Sequence, residues 1–330
     1  MVTLKDVAAK AGVSMSTASG AMRGLDSFKP QTIRKVRKIA EELGYKTNVS
    51  AKSLRSGRND TITFLTSGIQ GVYFSQLATC FANELHKRGL HMLIELSQYI
   101  DDDANTGTTF MMTDGIIATN ARNVSKILGS HPTVLLEDYS EDCLYDTVNA
   151  PSAAGSRAAI RHLYEKGCRR IGIVGNVLPE TVDFGFPRDV RLYAAADELK
   201  RLGIDYDPSN CLKTIGSRQG GRELAHRLAD EGLQYDGLYC LSDGIALGML
   251  LGFAERGIKV PEQVAVIGFD GVVEDEFSFP TLSTIATDFE GMASTAVSML
   301  MRRIEHPEDE LSPQRVSVGY RLIERASTAR

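Results

Sequence analysis

The stretch Leu4 to Met22, LKDVAAKAGVSMSTASGAM, restricts the fold of its neighbourhood more tightly than any other part of this 330-residue chain. Apolar or small residues recur at helical spacing in Leu4, Val7, Ala8 and Ala11, and again in Thr17, Ala18, Ala21 and Met22. Between the two sets stands Ala11-Gly12-Val13-Ser14. Gly12 can take the positive φ that ends a helix, Val13 can fill the angle between two helices, and Ser14 can cap the second. The pattern predicts a helix-turn-helix, whose second helix presents its N-terminal residues to a major groove. Ordinary helical bundles share this spacing, so the choice between the two readings falls to charge.

Residues 1–60 carry 12 Lys+Arg against 5 Asp+Glu, although the whole chain has a net charge of −5. A basic head on an acidic body is the electrostatic footprint of a nucleic-acid reader, and it outweighs the alternative of a merely solvated basic face. A third helix is expected from Gln31 or Thr32 to Leu43, with Pro30 near its first turn and Gly44 at its end. Ile33, Val36, Ile39, Ala40 and Leu43 share one face, and Arg34, Lys35, Arg37 and Lys38 share the other, where they suit phosphates. These helices make an all-α N-terminal domain of residues 1–46. The next segment, 47–60, is helical in period but too short and polar to fold alone. Leu54, apolar among Lys52, Arg55 and Arg58, suits a wedge into a minor-groove step; a plain linker with one stray leucine is the other reading.

From Thr61 onwards strand-like apolar runs alternate with amphipathic helices. The strands expected are Ile62–Leu65, His91–Glu95, Gly115–Ala118, Thr133–Leu136, Ile171–Val174, Gly237–Cys240 and Val264–Phe269. The helices are Ser75–Arg88, Gly155–Lys166, Val190–Leu202, Gly220–Glu231, Gly244–Arg256 and Gly291–Ile304. Such alternation argues for an α/β body of two doubly wound parallel sheets, with a ligand crevice at the carboxyl ends of the strands. The five cysteines are scattered and never form C-x-x-C, which suggests reduced thiols and no zinc site. No run of 18 apolar residues and no secretory h-region is present, so a cytoplasmic protein without membrane contact is expected. No phosphate-binding glycine motif and no Ser/His/Asp or metal constellation stands out, and Gly68-x-x-Gly71 is too weak to signal one. Neither catalysis nor a metal or cofactor is expected.

Over essentially its whole length the chain resembles the LacI/GalR family of bacterial transcriptional repressors. The match is carried by Thr3-Leu4-Lys5-Asp6-Val7-Ala8, Ala11-Gly12-Val13-Ser14 and Thr17-Ala18-Ser19 in the head, and by Tyr45, Asn48, Ala51, Leu54 and Arg55 after it. In the body it is carried by His162-Leu163, Gly167, Arg170-Ile171, Ser242-Asp243, Val260-Pro261, Val264 to Asp270 and Pro280 to Ile285. The resemblance implies a homodimer or tetramer whose subunits have two periplasmic-binding-protein-like lobes, at about 61–157 plus 288–316 and 158–287 plus 317–330. It implies double-stranded operator DNA as one partner and a small-molecule effector as another, a sugar in the first reading and a purine or nucleoside in the second. A sugar-binding module without DNA function is the remote reading. Effector binding would change the angle between lobes and so the separation of the heads.

Residue by residue, the resemblance implies DNA contacts at Thr3, Ser14, Met15, Ser16, Thr17, Ser19, Gly20 and Arg23, and at Asn48, Ala51, Lys52, Leu54 and Arg55 in the hinge. Gly20 stands where the family usually has a longer polar side chain, often Arg, and Thr47 where it usually has proline. For the effector the implied positions are Tyr73, Phe74, Arg191, Ser242, Asp243, Asp270 and Phe289, with Arg157, Asp183 and Arg188 as secondary candidates. A fork of donors, acceptor carboxylates and apolar ring faces together suit a polyhydroxylated ligand. Two stretches depart from the family: Ser67 to Phe74 lacks its usual acidic and Asn-Pro residues, and Ala150-Pro151 stands where an Asp-Asn pair is common. The segment between Ser97 and Asp114 is several residues short, leaving room for a crossover helix of a turn or two.

Overall fold

A computed structural model describes residues 2–23, 28–45, 57–97, 110, 112–119, 128, 131–139, 143–176 and 190–330. The chain divides into two compact units, Met1–Asp60 and Thr61–Arg330.

The first unit contains α1 (Leu4–Ala11), α2 (Met15–Arg23) and α3 (Pro30–Glu42). Thr3 and Asp6 form a reciprocal capping box at the start of α1, and Gly12, at φ 66°, ends it in the left-handed conformation. Ser14 then caps α2, accepting from Thr17 N at 3.1 Å. Val7, Ala8 and Ala11 meet Ala18 and Ala21 of α2 and Val36 and Ala40 of α3, with Val13 packed into the bend. These side chains are small because the three helices cross closely. Arg34, Lys35, Arg37 and Lys38 are exposed on the outer face of α3.

The second unit holds two six-stranded sheets. The first runs in the order β11 (Arg315–Ser317), β5 (Asp146–Asn149), β4 (Thr133–Leu136), β3 (Gly115–Thr119), β1 (Thr61–Thr66) and β2 (His91–Leu96), all parallel. The second runs β12 (Tyr320–Ile323), β10 (Ser283–Thr287), β9 (Ala265–Asp270), β8 (Gly237–Cys240), β6 (Ile171–Asn176) and β7 (Leu212–Thr214), with only β12 antiparallel. Central strands such as β3, β4, β8 and β9 are buried at every position, which is why they read as unbroken apolar runs. Helices α4 (Val72–Lys87) and α9 (Phe289–Glu305) cover the first sheet, with Leu77, Phe81 and Leu85 facing Met292, Ala296 and Leu300 in one core. Helices α5 (Ser152–Glu165), α6 (Val190–Arg201), α7 (Arg218–Asp230) and α8 (Asp243–Glu255) cover the second.

Helix α5 lies wholly against the second sheet, where Gly155 lets it close onto Phe269 and Ile285. The crossing into the second lobe therefore comes at Ala150-Pro151 and not near residue 158. The four helices expected to start at Gly155, Gly220, Gly244 and Gly291 begin one to three residues earlier, because their N-caps are Pro151, Ser217, Ser242 and Asp288, and α4 begins after Gly71, three residues before the expected Ser75. No helix among the described residues is long and apolar enough to cross a membrane.

Candidate functional site

In the head, Ser14, Met15 and Ser16 are exposed at the start of α2, with Met15 48% accessible. Thr17 and Ser19 are half-buried on the same helix. The Ser14 hydroxyl lies 2.8 Å from those of Ser16 and Thr17, so three hydroxyls cluster at the helix N-terminus. Thr3, also exposed, donates its hydroxyl to Asp6 at 2.7 Å. Gly20 is the exception: it is buried, and a side chain there would collide with Phe28. Arg23 ends α2, and its side chain lies outside the described residues. So do Asn48, Ala51, Lys52, Leu54 and Arg55, the crossover segment after Ser97, and Asp183 and Arg188.

In the body, the carboxyl ends of the strands and the first turns of α4 to α8 converge on one cleft of about 990 Å³. Tyr73, Phe74, Arg191, Ser242 and Asp270 line it. Gln70, Glu137, Tyr139, Ser152, Ser217 and Gln219 line it as well. Residues at these positions follow a strand or open a helix, which is where an open α/β sheet places its ligand contacts.

Arg191 is the centre of the polar wall. Its Nη1 donates to Leu241 O at 2.6 Å and to Asp270 Oδ1 at 3.1 Å, and its Nε donates to Ser152 Oγ at 3.2 Å. The guanidinium also lies over the Phe269 ring, 3.9 Å from its centroid. The Tyr139 hydroxyl continues the chain, 2.9 Å from Ser152 Oγ and donating to Glu137 Oε2 at 2.9 Å. Glu137 Oε1 accepts from Ala150 N at 2.7 Å. A connected line, Asp270–Arg191–Ser152–Tyr139–Glu137, therefore crosses from the second lobe to the first. Burial by itself would lower the Arg191 guanidinium, but Asp270 and Glu137 outweigh it and hold the group above its ordinary value. Burial raises the Asp270 carboxyl above its ordinary value, against the pull of Arg191.

Aromatic residues line the same cleft. Tyr73 meets Phe74 edge-on at 5.2 Å and Phe289 at 5.3 Å. The Tyr73 hydroxyl is buried at the cleft with no hydrogen-bond partner among the described residues. Burial, then Glu137 and Asp270, raise it well above the usual phenol range, so it stays protonated. Glu137 and Asp270 both adopt positive φ, 57° and 131°, and such conformations in non-glycine residues cost about 1–3 kcal/mol each. Strain of this kind clusters at ligand clamps.

Two positions expected in the cleft are elsewhere. Asp243 is fully buried beneath the floor, where Oδ2 accepts from Gly271 N and Val272 N, and Oδ1 from Thr284 Oγ1 at 2.7 Å. Its acceptors are committed to shaping the 270–272 turn. Phe289, 5% exposed, belongs to the first lobe's core and backs Tyr73 from behind. The secondary candidate Arg157 pairs with Asp197 at 3.3 Å and does not line the cleft. Glu137 and Tyr139 were not foreseen; the one signal was an acid placed directly after an apolar strand.

Residues 3–48 match the family described as bacterial regulatory proteins, lacI family, and residues 160–328 match the periplasmic binding protein-like domain. The HTH-type transcriptional regulator GntR of Pseudomonas aeruginosa is 30% identical over 342 residues, covering 99% of this chain and 95% of its own. The chain belongs to the LacI family. It is a DNA-binding transcriptional regulator whose body has the two-lobed, periplasmic-binding-protein-like fold. A LacI family regulator from Enterococcus faecium with bound ribose superimposes with a TM-score of 0.68 at 27% identity, covering 82% of this chain and 98% of its own. The lac repressor dimer bound to operator and an anti-inducer shares the fold over the whole length, with a TM-score of 0.80 at 22% identity and 99% coverage of both chains.

Proposed function

We propose that this LacI family regulator is a cytoplasmic, homodimeric repressor of carbohydrate-utilisation genes that responds to a small, uncharged sugar held between the lobes. One observation supports the effector class: the Asp270–Arg191–Ser152–Tyr139–Glu137 line of donors and acceptors lines the same cleft as Tyr73 and Phe74. A pyranose or furanose has hydroxyls for the line and C–H faces for the rings. Arg191 is already paired with Asp270, and Arg218 at the rim with Glu274 at 3.1 Å. Both of these cations already have a carboxylate partner among the described residues, which supports an uncharged effector. The ribose held by the Enterococcus relative agrees with that class. The dimer is the form in which one protein can read two half-sites of a pseudo-palindromic operator. In the head, the DNA contacts are assigned to Thr3, Ser14, Met15, Ser16, Thr17 and Ser19.

Phe74, presenting a ring to the cleft, also favours a second ligand, a purine or nucleoside stacked on that ring. Calorimetry with ribose, common disaccharides, adenine and adenosine separates the two. The direct test of the site is Asp270→Ala, assayed on duplexes from the DNA upstream of its own gene. The effector that the calorimetry identifies should lose at least about tenfold in affinity and its influence on DNA binding should vanish, while DNA affinity without effector stays within about twofold. A retained response would remove Asp270 from the site.

A further inference from the structure

In an α-helix, residues three, four and seven apart stack along one side. On α2 that rule groups Ser16, Ser19, Gly20 and Arg23 on the side away from Ala18 and Ala21, which are fully buried in the head's core. Gly20 should therefore be exposed, yet it is buried. Phe28 covers it: a Cβ added at Gly20 would fall 2.6 Å from Cζ of that ring and closer still to Cε2. The ring is pressed onto bare helix backbone, and Phe28 is itself only half-buried. No side chain at position 20 can coexist with Phe28 in this place. Where helical spacing would send a side chain outward, α2 offers an aromatic surface instead.

We propose that Phe28, seated on Gly20, is a sequence-specificity determinant of the head, favouring a thymine methyl over guanine at the base pair it meets. Guanine shows two acceptors, N7 and O6, in the major groove and thymine shows a methyl group. An aromatic edge matches the methyl and gives guanine's acceptors no donor, so contact with guanine strips their water without replacement. Ser16 and Ser19, on the same side of the helix, keep the hydrogen-bonding contacts to neighbouring bases or phosphates. The inference rests on α2 being the DNA-reading helix of this regulator.

The experiment is selection from a pool of DNA duplexes with randomised half-sites, using the full-length protein and three variants, with circular dichroism of each as the folding control. Wild-type protein should enrich a half-site with thymine at one fixed step. Phe28→Ala should keep the remaining steps and lose that preference by about tenfold. Phe28→Tyr, which retains the ring and adds a hydroxyl donor, should shift the same step alone, and Gly20→Arg combined with Phe28→Val should move it towards guanine. Should Phe28→Ala lose its helical signal, the tyrosine and exchange variants decide the matter. A half-site unchanged in every folded variant overturns the role of Phe28. Failure of the wild-type protein to enrich any sequence overturns α2 as a DNA reader, and this proposal with it.

Discussion

Beneath the cleft floor, Asp243 and Asp275 form a pair of fully buried carboxyls that cannot both be ionised. Asp243 takes its hydrogen bonds from Gly271, Val272 and Thr284, whereas both oxygens of Asp275 lack an N–H or other hydroxyl donor among the described residues. Burial, then the facing Asp243, push Asp275 up to about 10, with Arg325 pulling the other way and Asp270 adding to the rise. Burial raises Asp243 as well, so the two carboxyls hold one proton between them, on the Asp275 side, which has no other donor among the described residues. In the unfolded chain Asp275 ionises near pH 4. Its folded value being raised, its contribution to stability is complete below about pH 4 and is lost progressively up to about pH 10. Asp275→Asn keeps a donor towards Asp243 and has no proton to lose. Thermal melts should therefore show wild-type Tm falling relative to this variant by roughly 5 °C between pH 6 and pH 9; parallel curves would exclude the shared proton. At this scale the family resemblance, and not the residues' own pattern, pointed to Arg191 and Asp270, which line the cleft. It failed for Glu137 and Tyr139, whose place in the cleft depends on where a loop turns. It failed for Asp243 in the opposite sense, since a residue beside Ser242 in sequence points under the floor.

Helices α7 and α8 are held at unusually close approach by glycines. A Cβ on Gly248 would strike Arg218 O, one on Gly221 would strike Ile245 O, and one on Gly252 would lie 2.5 Å from Arg222 O. Further along, Arg222 pairs with Glu255 at 2.8 Å and Arg256 with Asp230 at 2.9 Å across the same interface. The first turns of both helices line the cleft through Ser217, Gln219, Gly244 and Ile245, so their spacing is also a dimension of the site. Gly248→Ala should destabilise the protein by about 2–3 kcal/mol, because backbone has no room to yield. Gly244→Ala, whose added Cβ meets nothing nearer than 3.9 Å, should be neutral or slightly stabilising. Urea unfolding of the two variants distinguishes steric contact from the general helix preference for alanine. Elements with a strong period were legible in the sequence, including every central strand with an unbroken apolar run. The strands not anticipated were β5, β7, β10, β11 and β12. They are short, rich in Thr, Ser, Asp or Lys, or half-exposed at an edge, so neither alternation nor an apolar run marks them.

At the scale of the molecule the division of charge is the dominant property. The head is basic and the remainder acidic, so the protein as a whole repels a polyanion that its first 60 residues attract. Phosphate contacts release counterions on binding. DNA affinity, read by fluorescence anisotropy on the selected duplex, should fall at least about 10³-fold between 50 and 200 mM salt. Effector affinity should change by less than about twofold over the same range, since the cleft charges are buried and internally paired. Equal sensitivity of the two would contradict this separation. The line of hydrogen bonds from Asp270 through Tyr139 to Glu137 has a consequence for the whole body. The contact by which one lobe meets the other along it, Ser152 Oγ to the Tyr139 hydroxyl, lies in the wall a guest would touch. Tightness towards the guest and stiffness of the joint are therefore tied together at Ser152 and Tyr139, and a substitution of either residue retunes both.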